Sequence, residues 1–79
     1  MPTIFRWRGY RFLFYSLDEG EPPHIHVVKN EYQAKFWLGN VRLERSVGFK
    51  DHELNRIERV IKEHREEFLE AWNEYFDSR

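Results

Sequence analysis

The stretch His24-Ile-His-Val-Val-Lys-Asn-Glu-Tyr-Gln-Ala-Lys-Phe-Trp-Leu-Gly-Asn-Val-Arg-Leu-Glu-Arg-Ser46 decides the fold. It holds three runs of β-formers with period-two alternation, separated by Asn30-Glu31 and Gly39-Asn40, each a two-residue hairpin signal. If both are two-residue turns, Lys29 faces Tyr32, His26 faces Lys35, His24 faces Trp37, Trp37 faces Arg42 and Lys35 faces Glu44. Alternation then sorts the side chains into two sets. Ile25, Val27, Ala34, Phe36, Leu38, Val41 and Leu43 form an apolar face. The other face carries the rows His24–Trp37–Arg42 and His26–Lys35–Glu44.

Upstream, Ile4-Phe-Arg-Trp-Arg8 and Tyr10-Arg-Phe-Leu-Phe-Tyr-Ser16 alternate in the same way around Gly9, adding two strands. Leu17-Asp-Glu-Gly-Glu-Pro-Pro23 reads as a loop by composition. Downstream of Gly48 the period changes to three and four: Leu54, Ile57, Ile61, His64, Phe68, Trp72 and Tyr75 draw one apolar stripe over about 51–76. Lys50 stands where a Ser or Thr cap is usual, so Asp51 is expected to cap. With no Gly or Pro to force a break near His64, a single helix is favoured. The expected fold is α+β: a five-stranded antiparallel meander over residues 1–48, with one long C-terminal helix over 49–79 packed on one face, in a single domain of 79 residues.

Composition narrows the class. Aromatic residues make up 18% of the chain, which disordered chains lack, and charged residues make up 34%, too many for a membrane span. With no Cys, thiolate chemistry and zinc–cysteine sites are excluded. No apolar run of signal-peptide length opens the chain, so the expected location is cytoplasmic. The net charge of −1 hides an asymmetry: residues 1–50 balance to +3 and residues 51–79 to −4. A basic, aromatic half therefore precedes an acidic, helical one.

The expected open face is where chemistry could occur. His24 and His26, two residues apart on a strand, would point the same way, and imidazole both gives and takes protons near neutrality. With Lys35 and Arg42 for phosphate, Trp37 as a stacking surface and Glu21 to orient a ring, they make a kit for metal-independent RNA cleavage. Arg11, among Arg6, Arg8 and the neighbouring aromatics, extends the basic surface; solvent-facing strand residues are the plainer alternative. A second chemical reading is metal binding by His24 and His26 with Glu21 or Glu31. The run Gly20…His24-x-His26-x4-Glu31…Gly39 is similar to the first cupin motif, but its first glycine spacing is short and no second motif follows. A third is docking of a partner protein, or of a second copy, on Phe68, Trp72, Tyr75 and Phe76 at the far end of the helix. His64, on the apolar stripe, reads as a packed core residue.

Pro2-Thr-Ile-Phe, Gly9-Tyr-Arg-Phe-x-Phe-Tyr-Ser16, Glu21-Pro-Pro-His-x-His-Val27, Ala34-Lys-Phe-Trp-Leu38 and Leu69-Glu-Ala-Trp72 together resemble the small bacterial family known as domain of unknown function 4160. The resemblance spans nearly the whole chain and carries no settled activity. It implies a two-gene arrangement like a type II toxin–antitoxin pair. This chain would be the toxin-like component, and the neighbouring gene would encode a small antitoxin-like partner. No cofactor is implied.

Overall fold

The computed structural model describes residues 3–77. Strands β1 (Thr3–Trp7), β2 (Tyr10–Leu13), β3 (His24–Lys29), β4 (Tyr32–Trp37) and β5 (Arg42–Val47) precede helices α1 (Asp51–Glu63) and α2 (Arg65–Asp77). The strands form one antiparallel sheet in the order β1-β2-β3-β4-β5, the expected meander. Pro2, part of the family resemblance, lies outside the described residues.

Turn chemistry explains the pairing. Arg8 and Gly9 both take positive φ, 50° and 85°, the combination that matches a tight hairpin to the twist of its strands. Asn30 does the same at 55° between β3 and β4. The β3–β4 register is the one read from the sequence, from Lys29↔Tyr32 to His24↔Trp37. Between β4 and β5 that reading holds for Trp37↔Arg42 and Phe36↔Leu43, then fails. A bulge takes up Glu44, so Lys35 faces Arg45 rather than Glu44. Glu44 instead accepts the indole N–H of Trp37 at 3.0 Å. Leu43, expected on the apolar face, is 38% exposed on this edge strand.

Inside, Phe12, Ile25, Val27 and Phe36 of the sheet, with Phe14 and Leu38 just beyond the ends of β2 and β4, cluster with Ile57, Ile61 and Phe68 of the helices, all essentially without exposure. Phe68 meets both Phe5 and Phe12 at 5.7 Å between ring centroids. Glu53 fastens the start of α1 by taking the Lys50 backbone N–H at 3.1 Å and the Tyr10 hydroxyl at 3.0 Å. Lys50 thus occupies the N-cap position, and Glu53 rather than Asp51 reaches back to it.

The single long helix is replaced by two. His64 leaves helical geometry at φ −110°, ψ 17°. No local breaker acts there; the cause is tertiary. The Arg65 guanidinium donates to the Leu38 carbonyl at 2.7 Å and the Gly39 carbonyl at 2.8 Å, tying α2 to the β4–β5 connection. The His64 ring lies 4.5 Å from that of Phe5, and its Nδ1 is 2.8 Å from the Glu67 carboxylate. An unbroken helix over this span would run about 39 Å, past anything a small sheet can cover.

Candidate functional site

The β2–β3 connection holds a short 3-10 turn, Ser16–Asp18. Asp18 closes it: its backbone N–H donates to the Tyr15 carbonyl, and its carboxylate accepts the Tyr15 N–H, both at 3.0 Å. The same carboxylate oxygen, Oδ2, lies 3.0 Å from His26 Nε2 and 3.1 Å from His24 Nε2. Asp18 is therefore the carboxylate around which both imidazoles gather, and the sequence reading missed it. It sits in an acidic run with Glu19 and Glu21, and composition does not single it out. The fitting signal is its place three residues after Tyr15, where a carboxylate can turn back on the backbone.

The two rings are on the expected side of the strand, since His26 pairs with Leu13 while Val27 pairs with the core residue Phe12. They are not open to solvent. His24 has 0% exposure, and His26 and Asp18 each have 7%. Tyr15 packs edge-on against His26 at 4.5 Å, and His24 is enclosed by His26, Trp37 and Trp72 of α2 at 5.1, 5.6 and 5.1 Å. Alternation fixed the direction of these side chains, and the β2–β3 segment and the end of α2 then covered them.

Proton accounting at His24 is incomplete. Its Nδ1 is 2.9 Å from the Pro22 carbonyl, which only accepts, so Nδ1 carries the hydrogen. In the neutral ring Nε2 is then an unprotonated lone pair, and it finds no hydrogen-bond partner although Asp18 Oδ2 is 3.1 Å away. His26 donates from Nε2 to Asp18. Burial lowers the affinity of His26 for a proton more than the Asp18 charge raises it, and its pKa falls below the ordinary value. Burial pushes the Asp18 carboxyl up, but the Tyr15 N–H and the imidazoles in their protonated form, in which His24 Nε2 becomes a donor, outweigh it and lower its pKa from the ordinary value.

Glu21, expected to orient an imidazole, instead takes the Lys35 ammonium at 2.9 Å. That ammonium also lies 4.7 Å above the Trp37 ring. Trp37 and Arg42 line a shallow cleft of about 250 Å³ with Pro22, Pro23, Gly39 and Asn40. Arg11 donates to the Thr3 hydroxyl at 3.1 and 3.2 Å. Phe68 and Trp72, expected to receive a partner, are buried in the chain's own core, and Tyr75 and Phe76 are half-buried beside it.

The model of the family described as Domain of unknown function (DUF4160) matches residues 9–73. The chain belongs to that family. The DUF4160 span runs from the β1–β2 turn into α2 and includes Asp18, His24, His26, Lys35, Trp37 and Arg42. No curated protein and no solved structure matches the chain.

Proposed function

We propose that this DUF4160 chain binds RNA through the outer face of its sheet, as the toxin-like component of a two-gene system acting in the cytoplasm. The observation that supports this is a register of cations. Arg6 pairs with Arg11, Lys35 pairs with Arg45, and Trp37 pairs with Arg42, so all share the face opposite the helices. Arg6, Arg42 and Arg45 are exposed and make no ion pair among the described residues. Arginines around a half-buried indole suit a single strand, whose phosphates meet guanidinium groups while a base stacks on the ring. Binding rather than cleavage is proposed, because His24 is enclosed and cannot serve as one half of a solvent-facing acid–base pair.

Fluorescence anisotropy with a labelled single-stranded RNA tests it. Contact with about five phosphates gives a slope of log affinity against log salt near −3.5. The double variant Arg42→Glu/Arg45→Glu, on exposed strand positions, keeps the far-ultraviolet circular dichroism of the wild type and loses most of the binding. Failure of the wild type to bind at low salt, or equal binding by the double variant, refutes the proposal. Cleavage of the RNA during the assay would restore the nuclease reading.

A further inference from the structure

Three donor groups from two separate elements converge in the interior: Asp18 from the 3-10 turn, and His24 and His26 from β3. Their ligand atoms all lie within 4.8 Å of one another, and all three residues are buried. Hydrogen bonding by a neutral His24 ring does not account for the arrangement. The two nitrogens of His24 each face an oxygen that only accepts, the Pro22 carbonyl at 2.9 Å and the Asp18 carboxylate at 3.1 Å. A neutral imidazole has one N–H to offer. The wholly buried Nε2 is then left with its lone pair aimed at a carboxylate, which is repulsive unless a second ring proton or a metal ion stands between them.

We propose that Asp18, His24 and His26 are three ligands of a divalent transition-metal ion that clamps the Ser16–Asp18 turn onto β3. The donor set, two imidazoles and one carboxylate with no sulfur, suits zinc. The spacing also suits it. Zn–N and Zn–O bonds of about 2.0–2.1 Å at a tetrahedral angle put neighbouring ligand atoms about 3.3 Å apart. The imidazole-to-carboxylate separations are 3.0 and 3.1 Å, and all three ligand atoms lie within 4.8 Å of one another. The ion enters as the carboxylate moves outward, the two imidazoles adjust around it and His26 gives up its Nε2 proton to Nδ1 or to solvent. The supporting contact is already made: the Nδ1–H of His24 is held by a backbone carbonyl, which fixes the tautomer that presents Nε2. His26 additionally lines a small cavity of about 40 Å³ with Lys35, Arg45 and Ser46, room enough for a water. The near-complete burial of all three residues marks a site that stabilises the fold, and RNA binding on the outer face does not depend on it.

The test uses untagged protein, stripped with a chelator and titrated with zinc alone in a calorimeter, with thermal unfolding followed in parallel. One zinc binds per chain, the unfolding temperature rises with zinc, and the imidazole 15N resonances of His24 and His26 move while those of His52 and His64 stay. Asp18→Asn keeps the side-chain shape but lowers the affinity at least about tenfold. Glu21→Gln, whose carboxylate serves Lys35, leaves it unchanged. The proposal is overturned if folded wild type takes up no zinc, if zinc moves His52 or His64 instead, or if Asp18→Asn binds as the wild type does. The wild-type titration and its resonances decide the matter even if the variant fails to fold.

Discussion

Removing the Asp18 carboxylate from metal-free protein measures how far it holds the β2–β3 connection. In Asp18→Ala, the Tyr15 N–H and the His26 Nε2–H, each 3.0 Å from Oδ2, lose their acceptor, and the buried His26 donor finds no water. Hydrogen bonds to a charged group contribute about 1.5–3 kcal/mol each. One term runs the other way, because the His24 lone pair no longer faces a negative oxygen. The net expected loss is about 3 kcal/mol. A chain of this length has a total stability of roughly 4–12 kcal/mol, so the variant stands close to unfolding. At about 4–8 °C per kcal/mol, its midpoint drops by roughly 12–24 °C. Urea denaturation followed by tryptophan fluorescence, with chelator present, reads this directly, since Trp37 and Trp72 both border the cluster. Glu21→Ala, which breaks a partly exposed pair with Lys35, serves as the control and hardly moves the midpoint. A loss below about 0.5 kcal/mol in Asp18→Ala would refute the claim that this carboxylate organises the site.

Acidification of the metal-free protein gives a second check. The folded-state pKa of His26 is lowered, so the unfolded chain takes up a proton near the ordinary value of about 6.5 while the folded chain does not. Its contribution is complete above that pH and is lost as the pH falls toward the folded-state pKa; Asp18, also lowered, adds a further loss below about pH 3.8. Denaturation midpoints between pH 7.5 and 5 should therefore decline, and His26→Gln should flatten the decline. Gly48→Ala tests the β5–α1 junction: Gly48 has φ 92°, and an added Cβ would lie 2.1 Å from Tyr32 Cδ1. A destabilisation of at least about 1–3 kcal/mol is expected in urea denaturation, and Tyr32→Ala in the same background should recover only the steric part.

Much of this fold is legible in the sequence because two-residue turns transmit register. Once Asn30 and the Gly39-Asn40 connection are recognised, alternation places every β3 and β4 side chain on its side of the sheet. The reading stops where a residue is accommodated without a local mark. Glu44 carries nothing that announces a bulge, so the row ending in Glu44 became a row ending in Arg45 and the outer face became more basic. The helix break is equally silent, because it depends on Arg65 reaching carbonyls more than twenty residues earlier in the chain. Burial of the imidazoles was the larger error. Periodicity reports which way a side chain leaves the backbone, and it does not report whether a loop later folds over it. Asp18 in that loop and Trp72 from α2 converted an expected open face into an enclosed cluster.

Long-range 1H–15N correlation spectra of the histidine rings, recorded on metal-free protein while the pH is lowered from 8 to 5, address that cluster most directly. Bonding of His26 Nε2–H to Asp18 and of His24 Nδ1–H to Pro22 predicts opposite tautomers for the two rings, with His26 still neutral below pH 6.5. The same tautomer in both rings, or a His26 that titrates at or above that value with a freely exchanging Nε2 proton, would contradict it.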